Sequence, residues 1–238
     1  MLKIEKFVTP SPDQWEITVE GMRNAMNSWD RMDSAFTSFE EPVIFELGPN
    51  DQDLMMRLND GGSPHAKYRR MLPVHITMTA PLYWWKEFET YRVGVASNPS
   101  DIEFNSCSTM HKIHAKEFVR DDFSYEHLHW ASVQTLDETI FRLNFWRDIY
   151  VNGGYVDHFE DGEDRDFEPR DKFAWQQMIQ LLPSSYNQKR TVYLNYQVLH
   201  EMYKWRKNHK LDEWRTFCRW IAELPYSELI TEYSEDEE

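Results

Sequence analysis

The residues best placed to do chemistry lie between Leu182 and Trp214, in the run LPSSYNQKRTVYLNYQVLHEMYKWRKNHKLDEW. The β-type run Thr191-Val192-Tyr193-Leu194 ends at Asn195, and a helical pattern starts at once, with Val198, Leu199, Met202 and Trp205 on one stripe. Asn195 stands where a helix N-cap belongs, because its short side chain accepts a free N–H of the first turn. Arg206 follows eleven positions later. That is close to three whole turns, so it leaves the same side of the helix roughly 16 Å along the axis. A polar cap and a planar cation on one face can line an elongated site, with the guanidinium suited to a phosphate.

The elements that must position these groups are readable from periodicity. Trp15, Val19, Met22, Met26 and Trp29 repeat at three and four, predicting a helix over about 14–28. Asn50 or Asp51 can cap a short helix that ends at Gly61-Gly62. A basic short helix is expected over 65–71, and a strand follows in which Val74, Ile76 and Met78 alternate with His75 and Thr77. Ala80-Pro81 opens a helix running to about Val93. Further helices are expected at about 132–150, 170–181, 196–209 and 211–223. The order suits a helix-rich α+β fold, a single domain over 1–231 in which helices cover a small twisted sheet. Residues 232–238 form an acidic flexible tail. A site near the two strand-to-helix junctions is reasonable, because helix N-termini attract phosphate.

Composition limits the partners. The net charge is −15 over 238 residues. Residues 160–171 carry seven acids against two bases, and 232–238 carry five acids. Acidity is therefore concentrated in one loop and one terminus, which read as solvated surface. Duplex nucleic acid needs a basic patch and is not expected as a partner. A small anionic nucleotide needs only two or three local cations. No apolar run reaches the roughly 20 residues of a membrane span. No secretory leader pattern opens the chain. Cys107 and Cys218 lie far apart and form no redox or metal motif, so a cytoplasmic, reduced protein is expected. His111-x-x-His114 and His127-x-His129 lack the converging third and fourth ligands of a zinc site, so no metal is expected. Gly-rich phosphate loops and a G-x-S-x-G elbow are absent.

Leu182-Pro183, a strand ending in Asn195, Arg206 eleven residues on and Trp214 together resemble the C-terminal part of the flavin-dependent thymidylate synthases. That family carries R-H-R, four residues, N-E-x-S, one residue, then R-Y, after a strand and a helix. Here VHITMT and APLYWWKEFETYR precede Asn105-Ser106-Cys107-Ser108. Asn105 and Ser108 match the N-x-x-S frame, and Ser106 replaces its Glu. With a seven-residue insertion, Pro99 to Asn105, Arg92 is the one cation left in the R-H-R place. Met110 stands where the family has Arg, with His111 and Lys112 next to it as substitutes. Ile179 stands where the family has an Arg that polarises the pyrimidine.

The resemblance implies a divergent member of that family. It implies transfer of a one-carbon unit to dUMP or a related pyrimidine deoxynucleotide by an FAD-dependent methyltransferase. NADPH and methylenetetrahydrofolate would be co-substrates, and the assembly a homotetramer. It assigns Ser108 to catalysis, Arg92, Asn105 and Asn195 to FAD, and Arg206, His111 and Lys112 to the nucleotide. Taken alone, Ser108 also reads as a turn serine, Arg206 as a surface cation, and Trp84 and Trp85 as core or as flavin-stacking rings. The alternative function is a noncatalytic oligomeric nucleotide-binding or interaction protein that kept the fold.

Overall fold

The structure is a computed structural model, and it describes residues 1–37, 43–92, 103–156 and 163–232, with no side-chain description at Arg92. In chain order the elements are β1 (Lys3–Val8), α1 (Pro12–Asn24), β2 (Ala35–Thr37), β3 (Ile44–Glu46), α2 (Pro49–Asp60), β4 (Pro73–Pro81), α3 (Leu82–Phe88) and β5 (Glu103–Ser106). Then come α4 (Trp130–Asn152), β6 (Gly154–Val156), β7 (Arg165–Phe167), α5 (Lys172–Leu181), β8 (Asn187–Asn195), α6 (Tyr196–Arg206), α7 (Asp212–Ile221) and α8 (Glu228–Thr231). The fold is α+β and helix-rich, with small sheets, as the periodicity predicts. One sheet has the strand order β1-β4-β8-β5, and β2-β3 and β6-β7 form two-stranded antiparallel ribbons.

The chain forms two compact units that interleave in sequence. One comprises Met1, 79–86 and 106–190, and the other 2–78, 87–105 and 191–238. Neither is a continuous segment, so no single cut in the sequence separates them.

The second unit owes its core to alternation and helical stripes. Val74, Ile76 and Met78 of β4 and Val192 and Leu194 of β8 point inward at period two. Val19 of α1, Met55 of α2, and Val198, Leu199 and Met202 of α6 bury the helical faces. Ser11 caps α1 with a complete capping box involving Gln14. The stripe of α1 stops short of the expected length. Met26 and Trp29 lie beyond Asn24 and are 74% and 47% exposed. Trp205 departs likewise, at 63% exposure.

A buried ion pair ties α1 to α2. Asp51 sits in the first turn of α2, whose N-cap is Gly48 with Pro49 next, not Asn50 or Asp51 as expected. Its Oδ1 accepts from Arg23 Nε at 2.8 Å, and its Oδ2 accepts from the Asp33 and Ser34 amides and the Ser34 hydroxyl. Burial alone would raise this carboxyl. The hydrogen bonds from Ser34, Asp33 and Arg23 outweigh it and hold the group below the ordinary Asp value.

The basic turn Lys67–Met71 is a short 3-10 helix. Lys67 is exposed, whereas Arg69 is buried and donates through Nε to the Leu229 carbonyl at 2.8 Å. Nearby, His200 is buried on α6, its Nδ1 2.7 Å from the Ile230 carbonyl. Burial, then the charge of Arg69, pushes His200 down to about 4. The unfolded side chain titrates near 6.5. Between those values the unfolded chain takes up a proton and the folded one does not, so stability falls as pH drops from about 6.5 to about 4. His200→Gln keeps a donor for Ile230 without a titrating group. Its melting temperature should depend less steeply on pH across that window than the parent's. Equal slopes in the two proteins would contradict this.

The first unit is centred on α4 and α5. Ile113, Phe118, Phe123, Leu136, Leu143 and Met178 form its core, with Ile140, Trp146, Trp175 and Ile179 packed against them. His129 caps α4 and Asp171 caps α5. Trp84 and Trp85 are both fully buried in this unit, with ring centroids 5.0 Å apart, edge to face. Trp85 Nε1 donates to the Gln188 carbonyl, and the Arg190 guanidinium lies 4.5 Å from the Trp85 ring centroid. Both rings are core, and neither offers an open stacking face.

Candidate functional site

In the second unit, β8 ends and α6 begins at Asn195 as the sequence indicates. Asn195 has extended backbone, and its Oδ1 accepts from Val198 N at 3.0 Å. The residue is 1% exposed, so this side chain is spent on starting the helix. At the other end of α6, Arg206 enters an aromatic cluster. Its guanidinium carbon lies 5.5 Å from the centroid of Tyr91 and 5.0 Å from that of Trp214. Such stacking holds a guanidinium in plane while leaving its edge available. Arg206 Nε donates to the Tyr91 hydroxyl at 2.8 Å.

Glu87 completes the cluster. Its Oε2 accepts from Trp214 Nε1 at 2.7 Å and lies 3.6 Å from Arg206 Nη1 and 3.8 Å from His209 Nε2. Burial raises the Tyr91 phenol, with Arg206 pulling the other way. Among the described residues, Arg206 makes no hydrogen bond through either Nη, and its side chain is 22% exposed. The arrangement presents a pre-oriented guanidinium edge beside one carboxylate. It can receive a second anion in a planar fork.

Asn105 lies on β5 with its side chain exposed. Arg92 ends a short 3-10 turn after α3. Positions 99–102 of the seven-residue insertion lie outside the described residues.

In the first unit, Ser108 opens a turn. Its Oγ accepts from Met110 N at 3.3 Å and His111 N at 2.9 Å, the geometry of a turn serine. Met110 turns its carbonyl to Trp175 Nε1 at 3.0 Å, which ties the turn to α5. His111 and Lys112 are exposed at the end of this turn. His111 lines an open cavity of about 250 Å³ together with Tyr150, Arg170, Lys172 and Trp175. Arg170 and Lys172 were not singled out from sequence, because they sit at the end of a run that reads as acidic. Ile179 packs against the core of this unit, so an apolar side chain there answers a packing need. Among the described residues no three His, Cys, Asp or Glu side chains converge as metal ligands, and no helix is long and apolar enough to cross a membrane.

No family model matches the chain, and no curated protein matches its sequence. Solved structures do match. Thymidylate Synthase X (ThyX) from Helicobacter pylori, with FAD and dUMP, aligns over 97% of this chain and 95% of its own, with a TM-score of 0.55 at 13% identity. A second structure, the flavin-dependent thymidylate synthase ThyX of the same organism complexed with FAD and dUMP, aligns over 97% and 96%, with a TM-score of 0.54 at 12% identity. The fold is that of the flavin-dependent thymidylate synthases. A thymidylate synthase-like fold over nearly the whole chain agrees with the layout of Leu182-Pro183, Asn195, Arg206 and Trp214. The low identity leaves the side chains of this protein to speak for its chemistry.

Proposed function

We propose that this protein binds a pyrimidine deoxynucleotide, dUMP or a close relative, through Arg206, and with FAD transfers a one-carbon unit to it. The observation that carries the reading is the Arg206 edge, stacked by Tyr91 and Trp214, with no hydrogen bond at either Nη and Glu87 3.6 Å from Nη1, eleven residues after the helix-capping Asn195. The fold likeness to proteins solved with FAD and dUMP supports it. Ser108 takes the place of the family's catalytic serine, and His111 and Lys112 replace its missing Arg. Arg92 and Asn105 are the groups proposed for FAD, which would supply hydride transfer, with NADPH and methylenetetrahydrofolate as co-substrates.

The fit to a flavin is incomplete. Asn105 is exposed and suits a polar edge, but Asn195 is buried with its oxygen engaged, and Trp84 and Trp85 are core. These observations favour a second reading, a noncatalytic nucleotide-binding protein that kept the fold. We place both readings on a single domain over 1–231 with an acidic tail, in a cytoplasmic homotetramer. Exposed Trp130, Phe141 and Val151 on α4 support assembly, since large apolar side chains left in water favour a partner.

Absorption of the purified protein separates the two readings. A flavin spectrum, native or on adding FAD, is expected for the enzyme. Calorimetry with dUMP should then show binding that Arg206→Lys weakens by roughly tenfold, because an ammonium does not reproduce the fork. A colourless protein that binds dUMP at Arg206 would be the noncatalytic form. Absence of both FAD and pyrimidine nucleotide binding would sink the proposal.

A further inference from the structure

Building on the nucleotide reading, we propose that Glu87 is a specificity-determining residue of the Arg206 site. The phosphomonoester taken by Arg206 is bound with one added proton, shared between its phosphate and the Glu87 carboxylate.

Glu87 is fixed where an incoming anion must meet it. The residue belongs to α3, its carbonyl accepts from the Thr90 hydroxyl at 2.6 Å, and Phe88 beside it is fully buried. Glu87 Oε2 accepts at 2.7 Å from Nε1 of Trp214, whose side chain is itself fully buried. The carboxylate therefore cannot swing aside without stranding a buried donor. Oε2 stands 3.6 Å from Arg206 Nη1, and neither Nη of that guanidinium makes a hydrogen bond among the described residues. Glu87 Oε1 likewise has no hydrogen-bond partner among the described residues. The Glu87 side chain is 38% exposed, so a ligand can reach it.

Charge decides what can join this pair. A guanidinium and a carboxylate side by side are together close to neutral. A phosphomonoester above its second pKa of about 6 brings two negative charges. Held at Arg206, those charges are repelled by the carboxylate about as strongly as the guanidinium attracts them. One proton between the phosphate and Glu87 Oε1 turns the repulsion into a charge-assisted O–H···O hydrogen bond. One proton is thus taken from solvent for each nucleotide bound, and no covalent bond to phosphorus changes.

The neighbours leave few other places for that proton. The titratable groups around Glu87 are Arg206 from α6, His209 between α6 and α7, and Tyr91 from the turn after α3, with Cys218 of α7 near Arg206. Burial raises the Tyr91 phenol and pushes the Cys218 thiol up to about 12, so both keep their protons through the neutral range. His209 Nδ1 accepts from Leu211 N at 3.2 Å, and its Nε2 lies 3.8 Å from Glu87 Oε2. His209 is the competitor for the proton, and a variant separates it from Glu87.

The test is calorimetry with dUMP on the full-length protein in the presence of FAD, across neutral pH and in buffers of different ionisation enthalpy. It reads affinity and protons exchanged together. Over one pH unit above neutrality the parent should take up about one proton per nucleotide, and its affinity should fall about tenfold. A site that takes the dianion would show no uptake there. Glu87→Gln keeps an acceptor for the Trp214 indole and removes the charge. It should take up no proton, hold an affinity flat with pH, and bind roughly tenfold tighter than the parent at the alkaline end. His209→Gln should follow the parent, and near-UV circular dichroism of all three proteins should coincide. Nucleotide binding by the parent without proton uptake would overturn the proposal and leave the nucleotide reading standing. Uptake that survives in Glu87→Gln, or is lost in His209→Gln, would overturn it in the same way. No dUMP binding by the parent at any pH would overturn both.

Discussion

Asp51→Ala is expected to destabilise the protein by about 3–5 kcal/mol, enough to unfold much of it at moderate temperature. The substitution strands the buried Arg23 guanidinium and removes the acceptor of the Asp33 and Ser34 amides and the Ser34 hydroxyl. An unpaired charge in such a place costs far more than the pair itself contributes. The paired replacement Arg23→Met with Asp51→Leu should therefore recover much of the loss. Urea unfolding of the three proteins checks this, and a single variant within about 1 kcal/mol of the parent would refute it. The pH behaviour has the same direction as that at His200 but a lower range. The Asp51 carboxyl is held below its ordinary value, so its contribution is intact above the unfolded pKa and disappears only as pH falls through the lower folded one. Acid titration should show the His200 loss first and the Asp51 loss below it.

The second large effect is expected at Trp214. The ring is fully buried, 6.1 Å from Phe88, 6.2 Å from Phe217 and 5.8 Å from Tyr91 between centroids, and its indole donates to Glu87. Trp214→Ala should cost about 3–5 kcal/mol through lost burial and the remaining cavity. It also removes one of the two rings that stack on Arg206 and frees Glu87 to close on that cation. Trp214→Phe separates these consequences. It keeps much of the volume while deleting the hydrogen bond, so stability should fall by less and nucleotide binding should still weaken. A Phe variant with parental nucleotide affinity would show that Glu87 is not restrained by the indole.

Much of the framework is legible in the sequence, for identifiable reasons. The long helices α4 to α7 have caps or strong stripes, and β4 alternates without interruption, so local signals and tertiary packing agree there. Asn195 reads as a cap because its type, its place after a strand and the helical stripe coincide. The stripe of α1 continues in sequence past the helix end at Asn24, leaving Met26 and Trp29 exposed, and Trp205 is exposed within α6. Periodicity reports which face is apolar and not where the helix stops or what covers it.

The short strands β1, β2, β3, β5, β6 and β7 escaped notice, since runs of three to six residues give too few alternations to stand out. Within the proposed site, Arg206 and Ser108 are singled out by the layout they share with the family the chain resembles. The engagement of Glu87 and Tyr91 with Arg206 joins residues 115 or more positions apart, which no local pattern carries. Ile179 shows the opposite case: a position expected to hold a cation turns out to belong to the core.

The interleaving of the two units has a consequence for how the protein is made. Residues 2–78 complete their unit only with 191–238, including α7 and the carbonyls of Leu229 and Ile230 that engage Arg69 and His200. During synthesis, Trp15, Val19 and Met55 must therefore wait, without their final neighbours, until nearly the entire chain has left the ribosome. The unit built mainly from 106–190 can collapse first. Such a chain spends its translation time with a large apolar surface uncovered, which makes it a natural client of chaperones. A stalled ribosome would release a product with half a core.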